Sequence, residues 1–348
     1  MRAPARKLTD MVEGKARIVL ATQSDVLSSE IRTGLENVEA MRATGLDGRH
    51  PTCLAADPLT PGRVWCGTAR DGVFRSDDGG RSWVPSGLGG EEITSVSTDP
   101  VKEDVVRVGT EPSALWSSFD AGETWESARG LDALPSSSEW AFPPKPHTHH
   151  VRWIACHPRK HGHLWVAIEA GALVTTPDGG KRWLDRTPGG PFDTHEIAVH
   201  PARPESLRVA AGDGYHESDD GGASWSTPRE GLGVRYLRSV AIDPVDPDVI
   251  VVSGASKARS TYVAGRSDGR VYRREARGRW ERVLSGWPDP PETIAPLLIG
   301  GLERGELWAA DERGIHRSED GGRGWSLVIR LPHRPSHLRG LALIRASG

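Results

Sequence analysis

An octapeptide frame recurs five times in this 348-residue chain, and a fixed period constrains a fold more tightly than composition does. It first reads Ser76-Asp77-Asp78-Gly79-Gly80-Arg81-Ser82-Trp83. It returns as Ser118 to Trp125, Thr176 to Trp183, Ser218 to Trp225 and Ser318 to Trp325. The shared pattern, Ser/Thr-x-Asp-x-Gly-x-(Ser/Thr)-Trp, is turn chemistry. Its aspartates, Asp78, Asp120, Asp178, Asp220 and Asp320, are placed to accept hydrogen bonds from backbone N–H groups inside a tight hairpin turn. The glycine adopts positive φ with no Cβ to clash. The tryptophan is expected to act as an apolar peg that seats the following strand.

The segments between these turns share one grammar. A strand ends in Asp/His-Pro, a short turn follows, then a Val/Leu/Trp-rich strand, a small-residue bend, a third strand, the Asp turn and a fourth strand. Strand-ending dipeptides stand at Asp57-Pro58, Asp99-Pro100, His157-Pro158, His200-Pro201 and Asp243-Pro244. A sixth unit, beginning near Thr293, replaces the dipeptide with Gly300-Gly301, and the fifth has lost its Asp turn to Arg277-Gly278-Arg279-Trp280. Four short strands per unit predict the blades of an all-β propeller.

The two ends supply a seventh blade. Ala16–Thr22 reads like a second strand with no first strand before it, and residues 337–344 read like a first strand with nothing after it. Joined, they predict a seven-bladed ring over residues 1–348 as one domain, with the C-terminal strand innermost; such closure removes exposed sheet edges. The alternative is a six-bladed ring with its two ends unpaired.

The repeat resembles the Asp-box, or BNR, repeat of sialidases, sortilin-type receptors, the photosystem II assembly factor and many glycosyl hydrolase-like bacterial proteins. That resemblance covers nearly the whole chain and implies the propeller fold; it leaves activity open, because a motif that caps turns is structural wherever it occurs. Sialidases are similar to six-bladed propellers carrying an arginine triad and a Tyr–Glu nucleophile pair. On that resemblance Arg152, Arg238 and Arg339 would form the triad, and Tyr236 with Glu111 or Glu169 the pair.

A net charge of −3 argues against nucleic acid as a partner, and no apolar run approaches the length of a membrane span. The expected location is cytoplasmic. Cys53, Cys66 and Cys156 are too few for a disulfide framework, although Cys53 and Cys66 fall on neighbouring strands; they are expected as small buried hydrophobes.

Function is expected at one rim. The insertions 131–149 and 256–268 both emerge at the end of the ring opposite the Asp turns, and loops on a rigid scaffold commonly carry binding. Aligning the blades places Thr52, Thr94, Arg152, His195, Arg238, Ala295 and Arg339 at one channel-facing position, with His50, Glu92, His150, Asp193, Tyr236, Thr293 and His337 two residues earlier. Arginine and histidine in this number suit an anionic small molecule or sugar acid, held by Arg152, Arg238, Arg339, His50 and His150. Turnover as a hydrolase or lyase would draw on Glu111, Glu169, His195 and Tyr236. No cofactor is predicted outright; a divalent metal would draw on His150, His195 and His337, with His147, His149 and His50 also able to approach. His157 and His200, standing where other blades have Asp, read as turn caps. The competing expectation is a non-catalytic scaffold that binds a protein partner.

Overall fold

A computed structural model of the protein describes residues 16–31, 40–142 and 148–345. Seven antiparallel sheets follow one another around a central channel, and the chain is a seven-bladed propeller. Blade one runs from Pro51 to Pro85, blade two from Glu92 to Ser127 and blade three from Val151 to Thr176. Blade four runs from Thr194 to Ser218, blade five from Tyr236 to Val283 and blade six from Leu297 to Arg330. The seventh blade joins the ends: Leu338–Arg345 is innermost and pairs with Ala16–Thr22, which pairs with Val26–Ile31, with Arg42–Ala43 outermost. Its register, from Ala16 opposite Arg345 to Thr22 opposite Leu338, excludes the six-bladed alternative. Among the described residues no helix is long and apolar enough to cross a membrane.

Four-stranded blades are the rule, with two exceptions. In blades three and four the outermost strand shrinks to a single bridge, Thr175–Leu184 and Glu217–Ser226. The second strands Val64–Thr68, Leu164–Ile168 and Leu307–Asp311 are buried at every position, because each lies between two neighbouring blades. A strand covered on both faces reads as a continuous apolar run. The core therefore sits between blades: Trp65 and Val73 of blade one pack with Ile93, Val106 and Val108 of blade two.

All five Asp turns are built alike. The first Ser/Thr hydroxyl donates to the aspartate, from Ser76 to Asp78 at 2.7 Å and from Ser218 to Asp220 at 2.7 Å, and accepts the amide of the fifth residue, Gly80 and Gly222, at 2.8 Å. The aspartate accepts the amide of the seventh residue whatever its side chain, Ser82, Thr124, Arg182, Ser224 or Gly324. Both glycines of the first copy have positive φ, +75° and +77°. Turn carbonyls also fasten the preceding blade: Gly79 accepts from Arg17 and Ser28, Ala121 from Arg75, Gly221 from Trp165 and Gly321 from Arg273.

The tryptophans divide differently from expectation. Trp83, Trp125, Trp183 and Trp225 of the Asp turns are only half-buried, with Trp83 and Trp125 donating to the blade before, at Thr44 and Ser86, while Trp325 of the fifth turn is buried as expected. Full burial falls to Trp65, Trp165 and Trp308 on second strands and to Trp280, the residue that survives where blade five lost its turn. The two histidines before the turn prolines do cap: His157 and His200 accept the amides of Arg159 and Ala202 through Nδ1. In blade six, where the dipeptide is Gly300-Gly301, Glu306 reaches back to accept the amides of Leu302 and Glu303. The three cysteines are unpaired.

Candidate functional site

A bulge in the innermost strand fixes what each blade offers the channel. The ladder between first and second strands skips a residue at Thr52, Thr94, Arg152, His195 and Arg238, and that of blade seven shifts beside Arg339. A bulged residue has no cross-strand partner, and the local twist re-aims its side chain. Most of these side chains staple the next blade. Thr52 donates to the Ile93 carbonyl (2.5 Å), Thr94 to Val151 (2.7 Å) and His195 Nδ1 to Leu237 (2.5 Å). Arg238 serves two junctions, because Ala295 cannot donate: its Nη1 bonds the Ala295 carbonyl (2.7 Å) and its Nη2 that of Leu338 (2.8 Å).

Arg152 and Arg339 break this pattern and face the cavity. Arg152 turns to Glu169, with Nε 3.4 Å from its carboxylate. Arg339 is exposed at the mouth, and among the described residues no hydrogen bond or ion pair reaches its guanidinium. The cavity, about 720 Å³ in volume, is lined by Arg152, Arg238 and Arg339 together with Glu111, Glu169, His50, His150, His195 and His337. Its size falls in the range of small-molecule sites.

On one wall stands a chain of ionisable groups. Glu169 follows the second strand of blade three and receives His150 Nε2 at 2.6 Å; His150 Nδ1 faces Glu111 at 3.4 Å. On the other side of Glu169, His195 Nε2 lies 3.9 Å from its Oε1 and 3.6 Å from Asp193 Oδ2. Burial drives the carboxyl of Glu169 upward, but Arg152 and His150 outweigh it and hold the group down at about 2. Asp193 goes the other way, raised by burial and by the Glu169 charge. Burial lowers the pKa of His195 despite the carboxylate of Asp193. Glu196, a buried member of the cavity lining that accepts the Ser239 hydroxyl at 2.5 Å, is pushed up by burial to about 8.

Both insertions close on this wall. Segment 131–149 contributes a 3-10 turn, Pro135–Glu139, and sets Phe142 edge-on to His150 at 5.3 Å. Segment 256–268 contributes the short helix Ala258–Tyr262, and Tyr262 lies under the Arg238 guanidinium at 5.0 Å.

Several expected roles shift. Arg238 is a clamp between blades five, six and seven, with two of its donors already taken by carbonyls. Tyr236 packs on the His195 ring at 4.8 Å and does not line the cavity. His50 and His337 also line the cavity, each bonded to Gln23, and among the described residues neither His150 nor His337 joins His195 in a group of metal-ligating side chains, which is instead Glu169, Asp193 and His195. His147 lies outside the described residues. Asp193 belongs to the cluster, which sequence reasoning placed on the rim without giving it chemistry. Gly212, just past the second strand of the same blade, makes its place: a Cβ there would sit 1.9 Å from Asp193 Oδ2, a closeness that only the folded chain shows.

The sequence matches no protein-family model and no curated protein. The fold is similar to that of a GH74 enzyme from Niastella koreensis (TM-score 0.65, 15% identity, 91% of this chain and 55% of that one). It is similar also to an ancestral GH74 enzyme (0.60, 15%, 85% and 38%), so the chain spans about half or less of these two enzymes. YCF48 from Cyanidioschyzon merolae matches end to end (0.59, 14%, 96% and 98%), and a YCF48 has been solved bound to a D1 peptide. At these identities the likeness is one of fold.

Proposed function

We propose that this is an Asp-box propeller whose channel mouth binds an anionic small molecule of the sugar-acid class. The observation that carries the reading is the exposed Arg339 guanidinium, unpaired among the described residues, in the same cavity as an acid–base wall. A guanidinium in a concave site grips a carboxylate through two parallel hydrogen bonds, and Arg152 adds positive charge beside it. Glu169, His150 and Glu111 then face the sugar ring. His150, between an ionised carboxylate and Glu111 on the open side, makes a proton-transfer pair of the kind that hydrolases and lyases use.

Thermal-shift titration of the purified protein with D-glucuronate, run beside neutral glucose, tests this. Glucuronate is expected to raise the melting temperature and glucose to leave it unchanged. Arg339→Ala, at an exposed position, is expected to keep the unliganded melting temperature within about 0.5 kcal/mol of stability and to abolish the glucuronate response. A response that survives in Arg339→Ala would sink this assignment.

The end-to-end likeness to YCF48 favours a second reading, a protein-binding scaffold. Against it, the exposed large hydrophobics among the described residues, Val84, Val101, Phe119, Leu184, Phe192, Val245, Leu284 and Leu302, are distributed around the ring from blade one to blade six, where an interface calls for one contiguous patch.

A further inference from the structure

We infer that Glu169, Asp193 and His195 form a divalent-cation site in the wall of the channel mouth. Their ligand atoms lie within 4.8 Å of one another. The two contacts made by His195 Nε2, 3.6 Å to Asp193 Oδ2 and 3.9 Å to Glu169 Oε1, are too long for hydrogen bonds. They are close to the spacing of two ligands on one ion, since metal–ligand bonds of about 2.0–2.2 Å put neighbouring donor atoms roughly 3–3.7 Å apart.

Each of the three side chains is tied at one atom and directs the other inward. His195 Nδ1 faces a carbonyl, that of Leu237, and a carbonyl only accepts, so Nδ1 carries the proton. Its Nε2 is fully buried and finds no hydrogen-bond partner among the described residues. Asp193 Oδ1 accepts the Ala170 amide at 3.1 Å, leaving Oδ2 toward His195. Glu169 Oε2 takes His150 at 2.6 Å and faces Arg152, leaving Oε1 toward His195. This is the outer-shell pattern that fixes tautomer and orientation in metal centres. The absent side chain of Gly212 makes the room that Asp193 occupies.

One imidazole with two carboxylates suits a first-row ion such as Mn²⁺ or Zn²⁺ better than an all-oxygen ion such as Ca²⁺. Glu169 and His195 line the cavity, so an ion held by them would lie beside the space where the proposed sugar acid would sit. That last step rests on the function proposed above; the cation itself stands on the three side chains.

The test is calorimetric titration of chelator-stripped protein with Mn²⁺, with paramagnetic resonance of the bound ion as a second reading. One equivalent per chain is expected, with nitrogen coupling from His195. Asp193→Asn and Glu169→Gln keep side-chain shape, and each is expected to weaken binding at least about tenfold while still melting cooperatively. His195→Ala is the weaker variant, because it also removes a staple between blades four and five. Absence of Mn²⁺ binding, or equal binding by the wild type and both amide variants, overturns the site. Glucuronate is titrated in parallel with chelator present. Glucuronate binding without Mn²⁺ binding would defeat the cation site alone; failure of both would defeat the anionic-ligand reading as well.

Discussion

Carboxylates at the two ends of this propeller live by different rules. At one rim Asp78, Asp120, Asp178, Asp220 and Asp320 all titrate below their ordinary value, and all are held by donors of their own turn: the Arg182 guanidinium foremost at Asp178, and in every copy the first Ser/Thr hydroxyl and a backbone amide. At the other rim the shifts split. Glu169 is held down at about 2 while Asp193 rises and Glu196 is pushed up to about 8, because cations reach the first and burial rules the other two. A repeated environment with uniform shifts marks scaffold. Neighbouring groups driven apart in pKa mark a place where chemistry can be done.

The comparison is tested most strongly on the scaffold side. Trp165 is fully buried and donates to the Gly221 carbonyl of the next blade's turn. Replacing it with Ala is expected to cost about 3–5 kcal/mol in urea denaturation. The half-buried Trp83 of an Asp turn should cost about 1–2 kcal/mol when replaced in the same way. Equal costs would erase the distinction between turn tryptophans and interface tryptophans.

A smaller effect separates two carboxylates of the mouth by pH. Glu169 is depressed in the folded state, so its contribution is present above the ordinary glutamate pKa of 4.5 and lost as pH falls toward 2. Glu196 is raised, so the folded state retains a proton that the unfolded chain releases, and stability declines as pH climbs from 4.5 toward 8. In melting curves across that range, Glu169→Gln should flatten the acid limb. Glu196→Gln should flatten the alkaline limb and gain on the wild type near pH 8. Identical profiles for both variants would show that the two environments do not differ.

Much of this was legible in the chain itself. The Asp turns announced themselves because each is closed by residues within a span of eight, and short-range chemistry is written in short-range sequence. Blade closure was readable because Ala16–Thr22 and the C-terminal strand each copy half of a known blade. The bulge position could be aligned from the strand-ending dipeptides, and Thr52, Thr94, Arg152, His195, Arg238 and Arg339 do line the cavity. Their individual fates could not be aligned. Whether a side chain staples the next blade, as Arg238 does, or turns to a carboxylate, as Arg152 does, depends on which residues the neighbouring blade brings within reach. The tryptophans mislead for the same reason: burial of Trp165 but not Trp225 is decided between blades, by contacts that no single repeat contains.

The seam of blade seven has a kinetic consequence. Every other blade is assembled from hairpins, while Ala16 meets Arg345 only after the whole chain between them is in place. Contacts so remote in sequence form late, because the entropy of loop closure must be overcome before they contribute anything. The ring thus has a latch, set last and released first. Weakening it, for instance by Leu341→Ala, is expected to speed unfolding while leaving refolding nearly unchanged, which stopped-flow rates measured against urea would read directly. A matching fall in the refolding rate would place the seam in the nucleus instead.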